Sequence, residues 1–309
     1  MATVDPAHYH LPVMARECLE FLAVRPEGTY ADGTLGGGGH SSLILEQLQD
    51  AGRLHSFDAD DVAIRHCSER FASELQRGAA SRIVLHHTNF VHMPEVMADH
   101  APVHGVLLDL GVSSYQFDHH ARGFSYRLHA PLDMRFGQDG PTATELLETM
   151  SEADIASMLF RFGEEPMSRR IAAAIVRRRL LSPVRTTTEL RDLLATEIPP
   201  HHLNKTLART FQALRIAVND ELTRLADVLE GMIPLMSIGG RLVVMSYHSL
   251  EDRIVKTTFK RFATGKRIDE HEGPGLRILT SKPVEASDEE QHINPRSRSA
   301  KLRAAERVC

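Results

Sequence analysis

A chain of 309 residues with 42% hydrophobic and 25% charged content has the length of about two domains and enough apolar surface for a buried core, which excludes a largely disordered or low-complexity protein. Its three cysteines, Cys18, Cys67 and Cys309, form no Cys-x-x-Cys pair, which excludes a disulfide scaffold and a structural zinc site, and the formal net charge of -5 excludes a uniformly basic coat. No run approaches the roughly 18 apolar residues of a membrane span, and Met1 to Leu11 lacks a basic head followed by an apolar run, so a cytoplasmic protein without membrane partners is expected.

In chain order, Thr29 to Gly33 reads as a first strand, followed by a glycine cluster and a helix over Ser41 to Gln49 with Ser41 or Ser42 as its N-cap. A second strand, Arg53 to Phe57, ends at Asp58 and precedes a helix from Asp61 to about Gln76. Third and fourth strands are predicted at Arg82 to His87 and Val103 to Leu110, the fourth nearly continuous in apolar residues and so suited to burial on both faces. This alternation predicts an α/β domain with a parallel sheet. It then stops: helical periodicity occupies Ser151 to Phe162, Met167 to Leu181, Thr187 to Glu197 and about Leu207 to Leu229, with no clear strand between them. A fifth strand at Gly240 to Tyr247, after the turn signal Gly239-Gly240, a helix from Leu250 to Phe262, and an antiparallel pair at Leu276 to Val284 and Ala300 to Val308 complete the pattern. The economical organisation is one α/β domain in two pieces, 1–114 and 211–309, with an all-helical domain, 115–210, inserted after the fourth strand.

The chemistry is expected at the strand ends. Asp32-Gly33-Thr34-Leu35-Gly36-Gly37-Gly38-Gly39-His40-Ser41 joins the first strand to the first helix, where glycines let a ligand approach the backbone and the helix N-terminus offers unpaired N–H groups. A dinucleotide fingerprint needs glycine at its sixth position, where Ser41 stands, and Asp32 would repel a pyrophosphate. The same carboxylate suits a cationic amino-acid moiety such as that of S-adenosylmethionine, and the Asp32, Gly36, Gly38 spacing is one that Rossmann-like methyltransferases use. Asp58 sits where a carboxylate takes ribose hydroxyls, in either kind of cofactor, and Phe90 follows the third strand, where a ring can contact adenine. Asp109 ends the fourth strand, where burial without a partner would be costly, so it is expected to face the crevice. After the fifth strand, Tyr247 and His248 are candidates for the substrate side, whereas Ser249, Glu251 and Asp252 read equally well as helix-terminal residues.

Two runs of positive charge, Arg161, Arg169, Arg170, Arg177, Arg178 and Arg179 in the helical region and Arg296, Arg298, Lys301, Arg303 and Arg307 near the end, point to a polyanionic partner. The 18 histidines include the pairs His86-His87, His119-His120 and His201-His202, but adjacent rings diverge and no His-Glu-x-x-His occurs, so no metal is expected.

Six strings carry a further reading: Asp32 to Ser41, Leu107 to Ser114, Arg122-Gly123-Phe124-Ser125, Pro131 to Arg135, Thr210 to Asn219, and Ser246-Tyr247-His248-Ser249-Leu250-Glu251-Asp252-Arg253. Together, over essentially the whole chain, they resemble the signatures of the MraW family of small-subunit ribosomal RNA methyltransferases. The resemblance implies a Rossmann-like class I S-adenosylmethionine-dependent methyltransferase with an inserted helical substrate domain. It implies transfer of a methyl group to the N4 amine of a cytidine in the decoding centre of 16S rRNA within the small ribosomal subunit, and a homodimer. By motif it places Gly38, Gly39, His40, Asp58, Phe90, Asp109 and Gln116 at the cofactor, beside the Asp32 and Gly36 read above. Gly37 stands where the family often has a larger residue, and Tyr247 where it often has Phe.

Methylation at carbon 5 of a pyrimidine generally needs a cysteine nucleophile, and the three cysteines lie away in sequence from the predicted strand ends. An exocyclic amine needs only in-line positioning and an acceptor for its N–H; Asp109 is the expected acceptor, with cofactor binding as its alternative role. The base must leave its stack to be reached, with Tyr247 as a platform. Competing readings are an amine methyltransferase of another nucleic acid, an NAD-dependent oxidoreductase, against which Asp32 and Ser41 count, and a cofactor-binding assembly factor without turnover.

Overall fold

The computed structural model describes residues 12–110, 122–136, 140–263 and 273–309. Contacts divide the chain into two compact units, Met1–Gly111 with Leu222–Cys309, and Val112–Glu221.

The first unit is built on an eight-stranded sheet. Its strands are β1 (Thr29–Asp32), β2 (Arg53–Asp58), β3 (Ile83–His87), β4 (Val103–Asp109), β5 (Met236–Ser246), β6 (Leu276–Ile278), β7 (Val284–Glu285) and β8 (Lys301–Arg307). The order is β3-β2-β1-β4-β5-β8-β6, with β7 also paired to β8; the first five strands are parallel, and β8 runs antiparallel to β5, β6 and β7. This is a Rossmann-like parallel sheet with an antiparallel final strand inserted at its edge. Its order reverses between β1 and β4, the switch point at which such sheets open a crevice beyond the carboxyl ends of their strands. The apolar run of β4 is buried along Gly105–Leu108, as a central strand should be, and its end at Asp109 is partly exposed.

Helices α1 (Ala15–Leu22), α2 (Gly39–Gln47), α3 (Asp61–Arg70), α4 (Ala72–Leu75) and α5 (Met93–Ala98) belong to this unit. One core joins Cys18, Leu22, Ile44, Leu45 and Leu107; a second joins Phe57, Met93, Met97, Leu108, Val228 and Leu229. No helix among the described residues is long and apolar enough to cross a membrane.

Helices of the second unit are α6 (Ala143–Thr149), α7 (Glu152–Gly163), α8 (Ser168–Arg179), α9 (Thr187–Glu197) and α10 (Pro200–Asn219). Its described residues form no strand beyond an isolated bridge between Pro131 and Thr186. Phe124, Leu147, Ile155, Leu159, Ile171, Leu194 and Phe211 share its core. Three of the family-like strings interlock here: the Met134 N–H donates to the Arg122 carbonyl, the Phe136 N–H to Asn219 Oδ1, and the Asn219 amide to the Met134 carbonyl.

Several boundaries differ from the sequence reading. The return to the first unit falls after residue 221, because residues 211–219 complete α10 and seat Phe211, Ala213 and Leu214 in the helical core. The single helix expected over Leu207 to Leu229 is two, α10 and α11 (Glu221–Met232), separated by Asp220 in the left-handed region with φ of 48°. Strand β5 starts at Met236 and runs through Gly239-Gly240, because a register irregularity against β4 between Val103 and Gly105 absorbs the left-handed Gly239. The long final hairpin is broken into β6 and β7 before α13 (Asp288–Ile293), with α12 (Ser249–Arg261) preceding it.

Candidate active site at the strand ends

The glycine segment is pinned from three strands. At the end of β1, buried Asp32 accepts the Thr34 N–H on Oδ1 at 3.0 Å and the Ser41 hydroxyl on Oδ2 at 2.7 Å. From β2, Phe57 accepts the Leu35 N–H through its carbonyl, and Asp58 accepts the Gly36 N–H on Oδ2 at 2.8 Å and the Asp60 N–H on Oδ1 at 2.8 Å. From β4, the Asp109 N–H donates to Thr34 Oγ1 at 2.7 Å. Gly38 closes the loop at φ of 76°, where a Cβ would lie 2.9 Å from the Phe71 ring and 3.0 Å from Cys67 Sγ. Only glycine satisfies both the angle and the space. The next residue opens α2, which is capped by Gly38 and not, as expected, by Ser41 or Ser42; Ser41 is spent on Asp32.

This wiring changes the part Asp32 plays. Its carboxylate was expected to meet a cationic ligand directly, but it is 1% exposed and both oxygens serve the loop, so it shapes the turn. Burial pushes its pKa up, against the pull of the Ser41 hydroxyl and of His40. Asp58 is pushed up to about 6, chiefly by burial, against the Asp60 and Gly36 N–H groups. Each Asp58 oxygen accepts one backbone hydrogen bond and keeps a lone pair for a vicinal diol. The His40 ring is buried, and desolvation lowers its pKa against the attraction of Asp32.

Asp109 and Tyr247 come together although 138 residues apart: the tyrosine hydroxyl donates to Asp109 Oδ1 at 2.7 Å. Burial first, then the Asp109 charge, pushes the Tyr247 phenol up, so it stays a donor. Oδ2 of Asp109 lies 3.9 Å from His40 Nε2.

His248 is placed otherwise than expected. It is the N-cap of α12: its side chain accepts the Glu251 N–H, its Nε2 lies 2.9 Å from Glu251 Oε1, and Glu251 Oε2 accepts the Tyr247 N–H at 2.8 Å and the His248 N–H. The ring is therefore engaged by the helix terminus, and Ser249, expected as a cap, is the first helical residue. Sequence reasoning passed over Glu251 as a dipole residue; the signal was the three-residue spacing from His248, the spacing of a capping box. It also missed Thr34 and Ser41 as the groups that tie the loop to β4 and β1.

Phe90 stands beyond β3 in a short turn capped by Asn89, half-buried, its Cβ 3.3 Å from where a Cβ on Gly33 would be, and so beside the loop. Gln116 lies outside the described residues. The cysteines are nearer than chain distance suggested: Cys67 Sγ donates to the Gly36 carbonyl at 3.4 Å, and Cys18 is close enough to feel the Asp109 charge. Both are nonetheless inert, since burial pushes Cys67 up to about 12 and Cys18 well above its ordinary value.

The basic runs divide. Arg303 is buried against Asp252 at 2.6 Å, Arg307 donates to the Pro234 and Met236 carbonyls, and Arg179 to those of Leu147 and Met150, so these arginines hold the fold. Arg170 and Arg177 meet Glu197, at 56% and 62% side-chain exposure, and keep charge at the surface of the helical unit.

The segment fits an adenosyl cofactor: a loop no side chain can enter at Gly38, a carboxylate with lone pairs left for a diol at Asp58 and a half-buried ring at Phe90. The family model described as the MraW methylase family matches residues 7–308. The ribosomal RNA small subunit methyltransferase H of Heliobacterium modesticaldum is 44% identical over 314 residues, covering 97% of this chain and 99% of that protein. Proteins of the same name from Geobacter sulfurreducens and Geotalea uraniireducens are 46% and 45% identical, with the same coverage of 97% and 99%. The chain belongs to the MraW methylase family, methyltransferases whose methyl donor is S-adenosylmethionine.

Proposed function

We propose that this methyltransferase modifies the N4 exocyclic amine of a cytidine in the decoding centre of 16S rRNA, in the cytoplasm, on the small ribosomal subunit. The names of its relatives support a ribosomal RNA substrate. The observation that carries the amine is the pair at the end of β4: a carboxylate held by a phenol, with no reactive thiol beside it.

S-adenosylmethionine, when bound, supplies an electrophilic methyl group. The protein's part is to hold and orient. Gly36, Gly38, Gly39 and the start of α2 present backbone to the cofactor, Asp58 takes the ribose hydroxyls, and Phe90 lies against the adenine. Tyr247 fixes Asp109 through Oδ1, which orients the carboxylate to accept an amine N–H and so aim the nitrogen lone pair away from it. A pyrimidine activated at carbon 5 would need a thiolate, and raised thiol pKa values at Cys18 and Cys67 disfavour that chemistry. The helical unit serves substrate recognition in this reading: exposed Phe160 beside Arg161 on α7, with Arg170 and Arg177 on α8, suits unstacked RNA, in which bases stack on aromatic rings and phosphates meet arginine.

The test is transfer of labelled methyl from S-adenosylmethionine to small subunits lacking the modification, followed by digestion to nucleosides. Label in N4-methylcytidine is expected. Label in another nucleoside would remove the amine assignment, and cofactor binding without any transfer would favour an assembly factor.

A further inference from the structure

Helix α8 ends at Arg179, and the two residues that follow, Leu180 and Leu181, are 80% and 87% exposed, the most exposed large apolar side chains among the described residues. The tip that carries them is tied down. The Leu181 and Ser182 N–H groups both donate to the Arg178 carbonyl, at 3.1 and 3.0 Å, and the Arg178 guanidinium donates to the Ser182 carbonyl at 2.7 Å. Arg179 anchors the helix end on the Leu147 and Met150 carbonyls, and past Pro183, whose ring fixes φ, Val184 is buried in the helical core. A tip held on both sides keeps its leucines from folding back onto apolar surface, so the gain from burying them is left to a partner.

Charge selects the partner. Residues 166–188 contain six arginines, Arg169, Arg170, Arg177, Arg178, Arg179 and Arg185, and no aspartate or glutamate. Arg170 and Arg177 share the single carboxylate of Glu197, while Arg178 and Arg185 form no ion pair among the described residues. Glu189, which feels the Arg178 charge, is already engaged by the backbone N–H groups of Arg185 and Thr186. The leucines therefore stand in a positive field, which fits a polyanion that also offers apolar faces. Unstacked RNA has both, base faces between phosphates, and leucine is among the side chains that enter between bases. Resting on the reading of the helical unit as the part that recognises rRNA, we propose that Leu180 and Leu181 form an apolar wedge against unstacked bases of the substrate rRNA, with Arg178 and Arg185 on the flanking phosphates. The wedge is a second contact, at the other end of α8 from the turn that follows Phe160.

The test titrates the full-length protein against small ribosomal subunits lacking the modification, over a series of salt concentrations. Leu180→Asn combined with Leu181→Asn should weaken binding about tenfold and leave the slope of log affinity against log salt as it is in wild type. Leu180→Ala combined with Leu181→Ala should lose binding likewise, which keeps the result independent of added polarity. Arg178→Gln combined with Arg185→Gln should instead make that slope shallower by about 1.4, the value of two single-strand phosphates. Melting curves and calorimetry with S-adenosylmethionine check that each variant is folded. Wild-type affinity in the leucine variants overturns the wedge, and so does a changed sedimentation coefficient of the variant protein alone, which would assign the leucines to a protein interface. An unaltered salt slope in the arginine variant overturns the phosphate contacts. Wild-type protein that fails to bind the subunits overturns the rRNA reading itself, and the wedge with it.

Discussion

Asp58 in the first unit and Asp133 in the second are both aspartates whose oxygens accept backbone N–H groups, yet burial pushes Asp58 up to about 6 whereas the Arg135 guanidinium holds Asp133 below the ordinary carboxylate range. The contrast extends to their neighbours. Asp32 is also raised by burial, while Glu189 in the second unit is lowered by the backbone N–H of Arg185. Asp133 and Glu189 are stabilised in their charged form by the partners that fix a turn and a helix end. At the strand ends burial works against the charged form of Asp32 and Asp58, a cost met there because their oxygens hold the glycine loop.

The largest test of that contrast is Asp109→Ala. If Asp109 receives the amine proton and is held for that purpose by Tyr247, methyl transfer should fall by about a thousandfold or more, with circular dichroism and melting little changed. A matching loss on replacing Asp133, whose partner Arg135 lies within the helical unit's own turn, would erase the distinction. Next in size is Gly38→Ala. The substitution imposes φ of 76° on a residue with a Cβ and drives that Cβ against Phe71 and Cys67. Left-handed strain plus overpacking should destabilise by about 3 kcal/mol, and cofactor affinity measured by calorimetry should fall with it.

Asp58 offers a smaller effect with a defined sign. Its pKa in the folded protein, about 6, exceeds its ordinary 3.8, so between these values the native state binds more protons than the unfolded chain. Its contribution to stability is fully present below the unfolded value and is lost as pH rises through about 6. Because the carboxylate is partly open to solvent, roughly 2 kcal/mol is expected, short of the full linkage value. Denaturation of wild type and Asp58→Asn between pH 4 and 7 should therefore show wild type losing ground to the variant as pH rises; parallel curves would contradict the burial argument.

What was legible in the sequence follows the same physical line. An apolar run that ends in a carboxylate marks a strand and its carboxyl end at once, which is why Asp32, Asp58 and Asp109 could be read together with the strands they close. Local competition hid other features. His248 took the cap position expected of Ser249, and Ser41 left its expected cap to hold Asp32. The break at Asp220 carries neither glycine nor proline, so helical periodicity runs straight across it. Tertiary proximity without a chain signal hid the rest: nothing in the spacing places Cys67 beneath Gly36, or the Tyr247 hydroxyl on Asp109, a pair 138 positions apart with a whole second unit between them.

The smallest expected effect isolates the helical side of the comparison. Thr186 caps α9 by accepting the Glu189 N–H at 3.1 Å, while the Glu189 carboxylate accepts the N–H groups of Thr186 and Arg185. Removing the hydroxyl in Thr186→Ala should cost about 1 kcal/mol, the ordinary value of a cap, and leave cofactor affinity untouched. The pH signature should be opposite to that of Asp58. Glu189 is held below its ordinary 4.5, so its contribution is present above that value and is lost as pH falls through the lower folded value. Two acids in one chain would then lose their stabilising effect in opposite directions of pH, one because it is desolvated at a strand end and one because it is bound to a helix terminus. If Thr186→Ala weakened the cofactor as Gly38→Ala is expected to, the helix caps would belong to the binding machinery, and the division of labour between the acids would fail.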